Sequence, residues 1–233
     1  MPKCSFLLAV LFFAFAGSAT AQMTIFNIPS TDVLPKKSAY VEADLLVKPV
    51  KKSEGGFQTY GWRVVYGVGA KTELGANVYY TRDGLGTAAD LQFSVKRTIY
   101  ANERTNFAWT GGGIFSTPIK DVRGSKRYAI FYTNASKVFS SAKGLRVTGG
   151  AYHVVGGGKD FGTKTGALVG VEQPLFKRVT FIGDWSSGNN KFGYVSGGIN
   201  LAITKRQFLL AGYSWGNSGR GNEYLSIFWG YTF

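Results

Sequence analysis

The sequence predicts an all-β fold: a transmembrane, antiparallel up-and-down β-barrel of about twelve strands. The first observation is the end of the chain, where large apolar side chains occupy every second position of 225–233, the period of a β-strand with one apolar face. The second is that similar alternating segments of roughly ten residues recur from residue 38 onward, separated by breaks rich in Gly, Asn, Asp, Lys or Arg. The third is a mean hydropathy of −0.02, which suits a barrel because only alternate residues face lipid.

Residues 1–21 predict a secretory signal peptide. Lys3 precedes an apolar run over 6–16, and small residues follow at 19–21, the order found in cleavable signals. The run is shorter than the roughly 18 apolar residues that a membrane-spanning helix needs. We therefore expect cleavage after Ala21 and export across the inner membrane. Cleavage also removes Cys4, the one cysteine of the chain, so disulfides and cysteine-based metal or redox chemistry are not expected in the mature protein.

Residues 22–37 contain Pro29 and Pro35 and show no regular period, so we interpret them as a periplasmic leader that could also fold inward as a plug. The barrel domain then covers 38–233. Its alternation predicts strands at 38–50, 57–68, 74–82, 88–99, 105–116, 126–139, 145–155, 165–175, 179–187, 192–203, 207–216 and 223–233.

The connections between these strands follow from the orientation of such barrels. Both termini are expected on the periplasmic side, so the strand number is even and the short basic turns at 71–72, 177–178 and 205–206 are periplasmic. The opposite connections, 51–56, 83–87, 117–125, 156–164, 188–191 and 217–222, then face outward. An open sheet edge would leave a row of backbone groups unpaired in lipid, at several kcal/mol each, so the sheet is expected to close.

The C-terminal strand resembles the closing strand of Gram-negative outer-membrane β-barrels, because the chain ends on Tyr231, Thr232 and Phe233. In that family a C-terminal Phe is the assembly signal, and Phe233 occupies the matching position. The resemblance implies residence in the bacterial outer membrane and recognition of the last strand by the barrel-assembly machinery. Over the mature chain the pattern is similar to small porin-like barrels.

Alternation also sorts side chains by face. One parity carries uncharged, mostly apolar residues that we assign to lipid, among them Val41, Tyr60, Trp62, Val64, Phe93, Trp109, Trp185 and Trp229. The opposite parity carries charges that we assign to the lumen: Glu42, Asp44, Lys48, Arg63, Asp90, Lys96, Arg146, Glu172 and Asp184. These charges need water or partners, so either the lumen is wet and they line a solute path, or acids and bases pair and fill the interior. Several inward positions are glycine, including Gly61, Gly170, Gly212 and Gly230, which either leaves interior volume or eases the coiling of the strands.

The formal net charge of +14 resides mostly in loops and turns, as at Lys51, Lys52, Lys120, Arg123, Lys126, Arg127, Lys159 and Lys164. Outer-loop bases could neutralise lipopolysaccharide phosphates, or they could simply be solvated. The bases are dispersed and the chain is exported, so we expect no nucleic-acid partner.

The sequence offers little for catalysis. His153 is the one histidine, no serine follows it two residues later, and its parity places the ring toward lipid near the outer rim. The glycine-rich stretches at 67–72 and 156–160 lead into strands and not into the helix that a phosphate loop requires. We therefore expect no enzyme activity, no cofactor and no metal site beyond a weak oxygen-ligand calcium site in an outer loop.

Three functions remain at this point. The first is a channel for passive diffusion of small hydrophilic solutes. The second is a non-conducting structural or surface-interaction barrel that binds lipopolysaccharide. The third, more remote, is a membrane-embedded hydrolase that uses His153.

Overall fold

The computed structural model describes residues 24–122, 125–219 and 223–233. The predicted signal peptide, Cys4 and Arg123 lie outside these residues. Twelve strands form one closed antiparallel barrel in which each strand pairs with its sequence neighbours and β1 pairs with β12. The prediction of about twelve antiparallel strands in a closed barrel is confirmed. The strands are β1 Ala39–Lys48, β2 Phe57–Gly69, β3 Thr72–Asp83, β4 Gly86–Asn102, β5 Phe107–Lys120, β6 Tyr128–Phe139, β7 Leu145–Gly156, β8 Thr165–Phe176, β9 Val179–Ser186, β10 Tyr194–Ala202, β11 Gln207–Gly216 and β12 Tyr224–Thr232.

Helical structure in the described residues is limited to three short 3-10 turns, Lys52–Glu54, Ser140–Ala142 and Lys159–Phe161. None of the helical segments in this part of the chain has the length and apolar character needed to traverse a bilayer. We call the end of the barrel that holds the start of β1 and the end of β12 the periplasmic end, following the expected orientation, and the opposite end the outer end.

The two faces of the barrel differ as the alternation predicts. On β2, Trp62 and Val64 are exposed on the outside, at 60% and 53%, whereas Val65 is buried inside at 3%. The outward residues of neighbouring strands continue the same apolar surface, as with Tyr60 opposite Tyr80. The period of two is maintained because successive side chains face lipid and lumen in turn, and lipid favours apolar side chains where the lumen admits polar ones.

Strand ends are less regular than the alternation suggests. β4 extends to Asn102, beyond the predicted end at 99, and a bulge between Thr98 and Tyr100 shifts its register with β5. Ile99 and Tyr100 are consequently both exposed, and the period of two disappears although pairing continues. β3 begins at Thr72 instead of 74, after a tight turn in which Ala70 and Lys71 both have positive φ, as a type I′ hairpin requires.

We call residues 24–37 the N-terminal plug; residues 24–34 lie inside the barrel, and 35–37 are exposed and lead toward β1. Ile25, Phe26, Ile28 and Leu34 are at most 2% exposed and belong to the interior cluster formed with inward side chains of the wall. The plug therefore occupies the lumen as a segment without strand or helix, tied to the wall by the contacts described next.

Candidate functional site in the barrel lumen

Asp184 on β9 is the central attachment of the plug. Its Oδ2 accepts hydrogen bonds from three successive backbone N–H groups, those of Phe26 at 3.0 Å, Asn27, and Ile28 at 2.8 Å. Next to it, the Asn27 amide donates to Ser196 Oγ at 2.7 Å. The backbone N–H groups stabilise the charge of the buried carboxylate, and the carboxylate supplies the acceptor that these buried main-chain donors need.

A second attachment involves Arg146 on β7. Its guanidinium makes a bidentate contact with Asp32 of the plug, with Nη1–Oδ2 and Nη2–Oδ1 both at 2.7 Å, and also donates to Thr31 Oγ1 at 2.7 Å. Glu172 of β8 lies 3.6 Å from Arg146 Nε. Burial acts to raise the pKa of Asp32, but the hydrogen bonds and positive charge of Arg146 outweigh it and hold that pKa below its ordinary value.

A third attachment uses Glu73, at the start of β3. Glu73 Oε2 accepts the backbone N–H of Leu34 at 2.8 Å, and Oε1 pairs with Lys96 Nζ of β4 at 3.0 Å. Sequence reasoning missed Glu73, because the predicted strand began at Leu74. Glu73 lies an even number of residues from Asn77 on the same strand, so the alternation would have placed it on the inner face if the strand had been extended to include it.

Glycines on the wall make room for the apolar side chains of the plug. A Cβ at Gly198 would lie 2.8 Å from the Phe26 ring, and one at Gly212 would meet the same ring. A Cβ at Gly170 would collide with Ile25. At these positions the volume left by inward glycines is filled by the plug.

A separate polar network lies on β1–β3. Arg63 Nη1 pairs with Glu42 at 2.8 Å, and Tyr40, which sequence reasoning did not single out, donates its hydroxyl to Glu42. Arg63 also donates to Tyr79 Oη at 3.1 Å, and Tyr79 in turn donates to Asp44 Oδ2 at 3.2 Å. This wall therefore carries charges that are largely paired with one another.

The residues predicted to line the lumen all have the inward parity, but they fall into separate groups. Glu42, Asp44 and Arg63 share the network just described, Lys96 joins Glu73, and Arg146, Glu172 and Asp184 are associated with the plug. Lys48 lies near the outer end and approaches Glu223 at 3.9 Å. Asp90 faces inward beside Tyr79 in the register of β3 with β4. Whether they line a path for solutes stays a prediction.

A cavity of about 250 Å³ lies between the plug and the outer loops. Its floor is formed by plug residues 24 and 26–29. One wall is polar and the other is apolar. The polar wall consists of Glu42, Asp44, Arg63, Asn77, Tyr79 and Gln92, and the apolar wall includes Ile114, Ile130, Tyr132 and Leu168.

Two larger openings, of about 940 and 690 Å³, lie at the outer end between the loops. Lys191 and Tyr194 line both openings and the inner cavity as well. The Lys191 ammonium lies 3.7 Å from the centroid of the Tyr128 ring. Removal from bulk water by the surrounding walls lowers the pKa of Lys191 to about 8, an effect that the more distant charge of Asp90 opposes.

His153 points outward from β7, as its parity predicts. Its Nδ1 lies 2.7 Å from Thr165 Oγ1 on β8, on the exposed outer surface. Within the described ranges no group of three or more His, Cys, Asp or Glu side chains is arranged to hold a metal ion.

No protein-family model matches the sequence, and a search of curated proteins gives no significant match. Solved structures of similar fold include the KdgM porin, with 8% sequence identity and a TM-score of 0.61 over 83% of this chain and 99% of that one. The same porin in complex with disordered oligogalacturonate gives 8% identity and a TM-score of 0.59 over 84% and 99%. The Salmonella typhi outer-membrane phospholipase dimer with bound calcium gives 11% identity and a TM-score of 0.50 over 92% and 98%. At these identities the likeness concerns the fold alone: the chain has the fold of porin-like outer-membrane β-barrels.

Proposed function

We propose that the protein is a bacterial outer-membrane channel for passive diffusion of small hydrophilic solutes, and that the N-terminal plug controls its opening. The observation that carries the proposal is the polarity of the lumen. In the described part of the chain, buried oxygens of Asn77, Thr110, Thr148 and Ser226 make no hydrogen bond to another protein group. Buried polar groups of this kind are normally satisfied by water, which supports a wet interior.

The strand number agrees with a passage. Eight strands leave an interior just filled by side chains, and 16 to 18 enclose an aqueous channel; this barrel has twelve. Its additional cross-section holds the plug and the inner cavity, so displacement of the plug would connect the cavity with the periplasmic end. One of the similar folds is a porin studied with oligogalacturonate, a hydrophilic solute, which supports a channel over a purely structural barrel.

The alternative, a non-conducting barrel whose basic loops bind lipopolysaccharide, is favoured by one observation. Inward acids and bases are paired, as in Arg63 with Glu42 and Lys96 with Glu73, and the plug fills much of the remaining space. This alternative predicts ion-tight vesicles and a surface interaction that weakens as salt is added.

We propose no enzymatic role. Among the described residues the hydrogen-bond partner of His153 is Thr165, so a carboxylate or amide that would orient the imidazole, as in a Ser-His-Asp triad, is not in hydrogen-bond contact with it. A His153→Ala variant should retain any conductance of the wild-type protein, and lipid hydrolysis by the wild-type protein that disappears in this variant would contradict the proposal.

The experiment that tests the channel compares two forms of the mature protein, one complete and one lacking residues 24–37. Liposome swelling with sugars and amino acids of graded size measures passage, and planar bilayers measure conductance. We expect small or intermittent conductance for the complete protein and larger, steadier conductance after removal of the plug. Ion-tight membranes with both forms, each shown to be folded, would favour the lipopolysaccharide-binding barrel instead.

A further inference from the structure

The outer end of the barrel holds a lysine that the plug contacts do not use. Lys191 lies in the connection between β9 and β10, and this connection is fixed by hydrogen bonds. The Asn190 amide donates to Tyr152 Oη at 2.7 Å, its Oδ1 accepts the Phe192 N–H at 2.7 Å, and Tyr152 donates to the Ser187 carbonyl at 2.6 Å. The loop therefore holds Lys191 over the lumen and not away from the barrel.

Lys191 lies where the inner cavity and the two outer openings meet. Among the described residues, Lys191 and Tyr194 line the inner cavity and both outer openings. A molecule that enters the inner cavity from either opening therefore passes the Lys191 ammonium and the Tyr194 ring.

The surroundings leave the charge of Lys191 available. Aromatic rings pack around it, with ring centroids at 3.7 Å for Tyr128, 5.4 Å for Phe192 and 5.9 Å for Phe161. Among the described residues no carboxylate lies within the 4.0 Å of an ion pair with Lys191, and its side chain retains exposure to solvent. Aromatic faces attract the ammonium without forming an ion pair with it, so a carboxylate can still approach it.

Other charged groups face the same space from the neighbouring elements. They comprise Asp90 on β4, Glu42, Asp44 and Arg63 on the wall of the inner cavity, Lys126, Lys159 and Asp160 in the larger outer opening, and Lys52 and Asp83 in the smaller one. On the cavity wall Glu42 pairs with Arg63, and in the larger opening the lysines outnumber the acid. The larger opening is thus positive, and Lys191 is the lysine that also reaches the inner cavity.

Beyond Lys191, a ligand would meet the apolar wall of the inner cavity, formed in part by Ile114, Ile130 and Leu168. Small-molecule sites typically combine such apolar surface with a few polar groups that fix orientation. We propose that Lys191 and this cavity form a binding site for small organic anions that carry an apolar ring, such as aromatic monocarboxylates, with the carboxylate at Lys191 and the ring on the apolar wall. That these anions also pass through the barrel rests on the proposed channel function.

The test measures binding to the purified full-length mature protein in detergent by isothermal titration calorimetry. The probes are sodium benzoate, benzyl alcohol and benzylammonium chloride, which share a ring and differ in charge. We expect benzoate to bind most tightly, and Lys191→Gln to weaken its binding about fivefold, the Boltzmann factor for one unit charge about 4 Å away in water. Lys191→Arg should restore binding. Benzoate binding to the wild-type protein should also weaken from pH 7 to pH 9, because the ammonium loses its proton near pH 8.

Two control variants separate this site from general effects. Lys51→Gln removes a lysine whose side chain is 82% exposed in another outer loop, and it should leave benzoate binding unchanged. Ile114→Phe adds volume to the apolar wall and should weaken the binding of benzoate and benzyl alcohol alike. Equal binding of benzoate and benzyl alcohol, or unchanged binding in Lys191→Gln, would overturn the proposal.

Conductance separates this inference from the proposed function. Lys191-dependent benzoate binding by a protein that forms no conducting state, even without residues 24–37, would support the site and refute the channel. Conductance with no Lys191-dependent binding would support the channel and refute the site.

Discussion

Replacement of Asp184 by alanine should release the N-terminal plug from the barrel wall. Asp184 is 5% exposed and accepts the backbone N–H groups of Phe26, Asn27 and Ile28 on one carboxylate oxygen. Alanine removes this acceptor without adding bulk, so the three donors would remain inside the lumen without their partner. The barrel itself should persist, because strand pairing on both sides of β9 involves backbone groups alone.

The size of the effect follows from the three hydrogen bonds. A buried donor left without a partner costs about 1–3 kcal/mol. Lumen water can replace part of the lost bonding, so we take the low end for each donor and obtain about 3 kcal/mol. Since 1.4 kcal/mol corresponds to a factor of ten, the ratio of released to docked plug should rise by about a hundredfold.

Single-channel recording in planar bilayers measures this ratio as the fraction of time spent in the larger conducting state. Asp184→Ala should raise that fraction toward the value of the protein lacking residues 24–37. Glu54→Ala removes a carboxylate whose side chain is 59% exposed in an outer loop and is the matched control, with no expected change. An open fraction equal to wild type in Asp184→Ala, with the barrel folded by its heat-dependent migration on gels, would refute the reasoning that this carboxylate holds the plug.

Three further predictions test the plug and the C-terminus. Gly170→Leu should displace the plug by steric collision with Ile25, so limited proteolysis should cut 24–37 in the variant and spare it in wild type; equal protection would argue against close packing there. The pKa of Asp32 is lowered below its ordinary 3.8 by Arg146, so this attachment is complete at neutral pH and is lost as the pH falls through that lowered pKa. Asp32→Asn should therefore increase conductance at pH 7, and an unchanged recording would remove Asp32 from the mechanism. Phe233 is 64% exposed and contacts the Tyr231 ring at 4.6 Å between centroids, so Phe233→Ser should reduce the amount of assembled barrel in the outer membrane while purified protein still refolds; normal assembly in cells would contradict its role as a signal.

The strand number and the inward or outward direction of side chains could be predicted from the sequence, because lipid and lumen select opposite residue types at every second position. Glu42 and Trp62 are clear examples, one buried inside and the other exposed outside. The period fails where geometry departs from regular pairing, as at the bulge near Tyr100. Strand ends and inward residues close to turns, such as Glu73, were therefore the least predictable.

The sequence left open whether the segment before the barrel is periplasmic or folds inward, and its backbone attachments could not be predicted for a different reason. Asp184 and Glu73 bind backbone N–H groups of the plug, and a main-chain donor has the same chemistry at every residue except proline. For these contacts the sequence of residues 24–37 therefore does not indicate the partner. The inward turn of Lys191 is equally hidden, because it depends on hydrogen bonds between Asn190, Tyr152 and Thr163 that are distant in sequence.

The barrel wall beneath the plug determines which contacts are lost when the plug is released. The wall groups that hold it by hydrogen bonds are polar, among them Asp184, Ser196 and Arg146. Where its apolar side chains rest, the wall is partly glycine, as at Gly170 and Gly212. When the plug leaves, the wall exposes hydrogen-bonding groups that water can satisfy. It also exposes apolar side chains of the interior cluster, such as Phe228, whose ring centroid lies 5.5 Å from that of Phe26. These apolar contacts favour the docked plug, because their loss returns apolar surface to water. The wall therefore combines polar attachments that water can replace with apolar contacts that favour the docked plug, as expected of a channel that is closed at rest.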